Sequence, residues 1–114
     1  MLSTLTRNAF ATLALLFSLN AFAAPDVWID VRSAEEFQTG HVGMAVNIPV
    51  EQIGERIKEV TTDKNADIYL SCKSGRRAGI ALETLKALGY TKVTNVGGIE
   101  DALKLEKELS KKAE

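Results

Sequence analysis

From Val27 onward, short apolar runs alternate with stretches in which apolar residues recur every three or four positions. Val27-Trp28-Ile29-Asp30-Val31 is almost continuously apolar, as expected of a strand covered on both faces. Ser33-Ala34-Glu35-Glu36 has the Ser-x-x-Glu spacing of a capping box and predicts a short helix ending by Gly40. Ala45-Val46-Asn47-Ile48-Pro49 reads as a second strand, stopped by proline. Between Glu51 and Val60, Ile53, Ile57 and Val60 share one helical face, predicting an amphipathic helix. The stretch 61–65 is polar and reads as a loop, and Asp67-Ile68-Tyr69-Leu70-Ser71 as a third strand. From Arg76 to Leu88 the stripe Ala78, Ala81, Leu82, Leu85 and Leu88 predicts a helix, with Gly89 as its stop. Lys92-Val93-Thr94-Asn95-Val96 reads as the last strand, and Gly97-Gly98 turns the chain into a charged helix starting at Ile99. Strands alternating with helices predict a mostly parallel α/β sheet with helices on both faces.

The segment before Val27 has a different character. Arg7 is its one charged side chain before Asp26, an apolar run spans Ala9 to Leu19, and Ala21-Phe22-Ala23 is a small-x-small site. That order is the pattern of a secretory signal peptide, residues 1–23, leaving a single domain over 24–114. The alternative is a retained anchor, but the run is about 11 residues where a spanning helix needs roughly 20. Export to a periplasm, with no membrane attachment after cleavage, is the expected outcome.

The chain has 114 residues, with 14 basic against 15 acidic side chains and a formal charge of −1. A balance so near neutral argues against nucleic acid or an anionic membrane as the main partner. The cysteine count changes the picture more. Small exported domains commonly hold paired disulfides, yet Cys72 is the only cysteine. It is a buried small hydrophobe, a partner in an intermolecular disulfide or a free reactive thiol. Its neighbours Lys73, Ser74, Gly75, Arg76 and Arg77 favour the last reading. Cys72 falls after a predicted strand and before a predicted helix, where ligands gather in open α/β sheets. Helix N–H groups, a nest of loop amides and the cations Lys73, Arg76 and Arg77 would all favour a thiolate, a persulfide or a bound oxyanion.

The segments Trp28-Ile29-Asp30-Val31-Arg32, Glu36-Phe37, Gly40-His41, Ala45-Val46-Asn47-Ile48-Pro49, Cys72-Lys73-Ser74-Gly75-Arg76-Arg77, Gly89-Tyr90 and Asn95-Val96-Gly97-Gly98, in this order, resemble the rhodanese homology family. The resemblance covers essentially all of 24–114. It implies a single rhodanese-like domain with a mostly parallel five-stranded sheet. It also implies a thiosulfate sulfurtransferase. Cys72 would carry sulfur as a persulfide, the loop Lys73, Ser74, Gly75, Arg76 and Arg77 would bind the substrate, and cyanide or a thiol would accept the sulfur. The resemblance implies no cofactor and no metal, and a monomer is expected. Met44 and Ala102 depart from the family pattern, which often has Gly and Trp there.

Other functions compete. A cysteine-dependent phosphatase or arsenate reductase holds its oxyanion in a loop whose seventh residue is arginine. Here the seventh is Ala78 and the sixth is Arg77, a shorter loop better suited to sulfur. A dithiol redox protein needs a second cysteine. A sulfur-relay or binding module without significant free turnover fits the same residues. His41 is read as structural, Asp30 and Arg32 as an ion pair or supporting contact, Glu36 as a helix cap and Trp28 as core.

Overall fold

The computed structural model describes residues 26–113, so the signal-peptide reading of residues 1–23 lies outside the described residues. Strand β1 spans Val27–Asp30, helix α1 Ala34–Gln38 and strand β2 Val46–Asn47. Two 3-10 turns, Val50–Gln52 and Ile57–Glu59, flank the one-turn helix α2, Ile53–Arg56. Strand β3 spans Asp67–Cys72, helix α3 Arg76–Ala87, strand β4 Lys92–Gly98 and helix α4 Ile99–Ala113. The sheet order is β2-β1-β3-β4, with every pairing parallel. The α/β class and the parallel sheet stand as expected.

Among the described residues the sheet has four strands, correcting the expected five. Four apolar runs make four strands. The stretch that could have supplied another, between Ile48 and Asp67, goes into helical turns and a polar loop. The amphipathic helix expected over Glu51–Val60 is likewise broken into the 3-10, α and 3-10 turns. Gly54 and the β-branched Ile53, Ile57 and Val60 have low helix propensity, so packing sets the path. The two isoleucines are still buried at 1% exposure each.

Each face of the sheet is covered. Val27, Ile29, Val31, Ile68, Leu70 and Cys72 point to the side packed by Ile53, Ile57, Ala78, Ala81 and Leu85. Trp28 points to the other side, into a smaller cluster with Val42, Ala102, Tyr69, Val96 and Leu105. Full burial of an Ile or Leu side chain contributes about 1.5–3 kcal/mol, so the larger cluster carries most of the hydrophobic stabilisation. Leu88 leaves the expected stripe: it is the C-cap of α3 and is exposed. The helix closes there with the Tyr90 N–H donating to Leu85 O and the Gly89 N–H to Lys86 O, a Schellman arrangement.

Candidate functional site

Cys72 is the last residue of β3 and α3 begins four residues later, at Arg76. The chain therefore has Lys73, Ser74 and Gly75 to turn from strand to helix. Gly75 makes the turn at φ +100°, a left-handed conformation that other residues adopt at a cost. Its Cα hydrogen side also faces Gly97, whose Cα would lie 3.3 Å from a Cβ placed on Gly75. The result is a loop curled back on the sulfur. The Gly75 N–H donates to Cys72 Sγ at 2.9 Å and the Ala78 N–H at 3.4 Å. These donors belong to the loop and to the unsatisfied first turn of α3.

The sulfur itself is buried, with Cys72 1% exposed and part of the larger apolar cluster. Cys72 is thus packed in the core while its Sγ accepts from two backbone amides. The sequence shows the donors' positions but not this depth.

The neighbouring chain holds the loop in place. Asn95 Nδ2 donates to Gly75 O at 2.9 Å, and Asn95 Oδ1 accepts from the Gly97 N–H at 2.9 Å. Asp101 Oδ2 accepts from the Gly98 N–H at 2.9 Å. Gly98 lies so close that a Cβ there would sit 2.5 Å from Lys73 O. The Gly97-Gly98 pair is therefore a support for the cysteine loop as well as a turn into α4. Asn95 enters the sequence reading only within the segment Asn95-Val96-Gly97-Gly98, and Asp101 not at all. The side-chain-free glycine pair beside them was their one visible signal.

The three loop cations behave differently. Lys73 and Arg76 are exposed. Arg77 turns to Glu36 on α1, its Nη1 donating to Oε1 at 2.7 Å and its Nη2 to Oε2 at 3.1 Å. Of the three cations, Arg77 alone faces a carboxylate in this loop region. Glu36 also completes the predicted capping box, accepting from the Ser33 N–H and hydroxyl at 3.1 Å each. These donors, Arg77 first, lower the Glu36 carboxyl to about 2. The Arg77 guanidinium is raised, chiefly by its hydrogen bond to Glu36.

Behind this pair lies a second. Asp30 and Arg32 bond in a fork, with Nη2 to Oδ2 at 2.6 Å and Nε to Oδ1 at 2.9 Å. Arg32 Nη2 also donates to Gly40 O, and Asn47 Nδ2 donates to Asp30 O and Arg32 O. Asp30 and Arg32 form the expected ion pair, fixing the turn after β1. His41 stacks on Phe37 at 3.6 Å between centroids and its Nδ1 bonds to Phe37 O, a structural position. Ser74 is exposed. A depression of about 420 Å³ beside the loop is lined by Arg32, Glu35, Glu36, Thr39, Lys73 and Ile99. Among the described residues no group of three or more His, Cys, Asp or Glu could hold a metal ion.

A buried cysteine whose sulfur accepts two N–H hydrogen bonds beside exposed cations is an arrangement suited to nucleophilic attack on an anionic substrate. The chain is similar to known proteins. A family described as Rhodanese-like domain matches residues 18–104. Thiosulfate sulfurtransferase PspE of Escherichia coli is 45% identical over 95 residues, covering 83% of this chain and 90% of that protein. Thiosulfate sulfurtransferase 18 of Arabidopsis thaliana is 36% identical over 84 residues, covering 62% of this chain and 61% of that protein. A solved structure of a rhodanese with anions from E. coli superposes with a TM-score of 0.64 at 45% identity, over 66% of this chain and 88% of that one.

Proposed function

Because the chain belongs to the rhodanese-like domain family, we propose that it is a thiosulfate sulfurtransferase and that Cys72 carries the sulfur as a persulfide. The observation that carries this reading is the convergence of the Gly75 and Ala78 N–H groups on Cys72 Sγ. The Cys72 thiolate attacks the outer sulfur of thiosulfate. A new S–S bond forms, the old one breaks, and sulfite leaves with the bonding electron pair. The terminal sulfur of the persulfide is then attacked by cyanide or a thiolate acceptor. Thiocyanate or an acceptor persulfide departs and the Cys72 thiolate returns. This is a double displacement through a covalent intermediate.

The site residues take distinct parts. Lys73, Ser74, Gly75, Arg76 and Arg77 form the loop round the sulfur, their backbone providing donors for a persulfide anion or an oxyanion. Lys73 and Arg76, both exposed, draw in the anion. The E. coli relative's structure was solved with anions, in keeping with a site of this kind. Arg77 is engaged by Glu36, which counts against a phosphatase, where the loop arginine grips phosphate. No metal or organic cofactor enters this chemistry.

The domain is residues 24–114, released from a signal peptide over 1–23 and delivered to the periplasm, where it works as a monomer. Among the described residues no helix is long and apolar enough to cross a membrane.

Intact mass after incubation with thiosulfate tests the reading. The wild type should gain ~32 Da, one sulfur atom, and lose it to cyanide with thiocyanate released, while Cys72→Ser gains nothing. A reduced thiol that takes up no sulfur overturns it. A stable persulfide with negligible cyanide-dependent turnover would instead identify a sulfur-relay module.

A further inference from the structure

Glu36 stands out because it joins two otherwise separate corners of the molecule. Through Ser33 it belongs to the turn after β1, and through Arg77 to the first turn of α3, whose Ala78 N–H reaches the sulfur. Its carboxylate meets the guanidinium with both oxygens, a planar match that fixes orientation as well as distance. The pair is about one-third exposed on each side, at 31% for Arg77 and 33% for Glu36, and Glu36 lines the depression beside the loop. It therefore lies at the surface beside Lys73 of the cysteine loop and not in the core behind it.

We infer that Glu36 is a positioning residue that also sets the charge of the approach, holding Arg77 in place and cancelling its field so that Lys73 and Arg76 meet the incoming anion. The inference rests on the sulfurtransferase reading of Cys72. Its physical reason lies in the reaction. An anionic donor must enter, an anionic product must leave, and an acceptor must then approach. A third uncancelled cation would hold donor and product alike, and uniform binding of this kind lowers KM without raising kcat. Glu36→Gln tests this with little change of shape, since the amide oxygen can still accept from Arg77 and Ser33.

Two alkylating reagents separate charge from geometry. Iodoacetate is an anion and iodoacetamide is neutral. Both form a carbon–sulfur bond at Cys72 while iodide leaves with the electron pair. A loosened loop changes both rates together, so their ratio reports the field. Glu36→Gln should raise the iodoacetate-to-iodoacetamide ratio about threefold or more, the scale of one unit charge acting through partly screened surroundings. KM for thiosulfate and the inhibition constant of sulfite should fall together. Arg77→Gln should lower the ratio, and the double variant should restore it. Should Glu36→Gln fail to fold, the Arg77→Gln and double variants still decide the matter by the opposite sign and the return. A ratio that stays at the wild-type value in these variants would make Glu36 a strut only and overturn the inference. Sulfur uptake by the wild type is measured alongside. Its failure removes the sulfurtransferase reading and this inference with it, whereas uptake with an unchanged ratio removes this inference alone.

Discussion

Two arginine–carboxylate forks stand at neighbouring corners of this domain, and burial separates their roles. The Asp30–Arg32 fork, at 1% and 6% side-chain exposure, ties the turn after β1 to Gly40. The Glu36–Arg77 fork, exposed by about one third, ties that same region to the cysteine loop. The bond lengths of the two are similar. Taking one partner from the first leaves a charge where water cannot reach it, while the second has solvent at hand. The inner fork is therefore a matter of folding, and the outer one can be altered to change chemistry.

Removing one partner of the inner fork should have the largest effect. Arg32→Ala leaves Asp30 buried and unpaired, and breaking such a pair costs about 3–5 kcal/mol. A chemical-denaturation midpoint measures this. Arg77→Ala, by contrast, should cost only about 0–1 kcal/mol, the range of solvent-exposed pairs. A loss for Arg77→Ala equal to that for Arg32→Ala would break the contrast.

Gly98→Ala sharpens the comparison from the loop's other side. The added Cβ would press on Lys73 O at 2.5 Å, a backbone atom that yields only if the loop moves. Overpacking of this kind costs about 1–3 kcal/mol. Activity should fall further than stability implies, by on the order of a hundredfold, because small misplacements of reacting groups are amplified in the rate. Full activity in folded Gly98→Ala would show that the loop does not depend on this support.

The two regions also differ in how well they can be read from the chain. Asp30 and Arg32 are two residues apart on a strand end, so their pairing follows from local geometry. The same holds for the Ser33–Glu36 cap, for the α/β order, and for the cysteine loop between strand and helix. Contacts at long sequence separation are another matter. Glu36 and Arg77 are 41 residues apart, and a capping residue already has a local explanation that hides its second partner. Asn95 and Asp101 show nothing in their sequence of the backbone groups they hold. The fifth strand came from the resemblance, not from an apolar run, and the broken helix at Ile53 reflects packing that overrides periodicity. The burial of Cys72 was hidden for the same reason: depth depends on what covers a residue, here α2 and α3 together.

The smallest effect is a pH dependence of the outer fork. Arg77 and the Ser33 N–H hold the folded Glu36 carboxyl at about 2, against an ordinary value of 4.5. Above pH 4.5 both folded and unfolded chains have this group ionised, and its contribution to stability is complete. Below that, the unfolded chain takes up the proton first, so stability drains away as pH falls and is gone by about pH 2. Exposure of one third means solvent screens much of the interaction, leaving less than about 1 kcal/mol at neutral pH. Comparing the wild type with Glu36→Gln cancels the other carboxyls. Their stabilities should differ by a constant amount from pH 7 down to about 5, then converge towards pH 2. A difference that persists unchanged to pH 2 would mean that Glu36 acts through its shape and capping bonds rather than its charge.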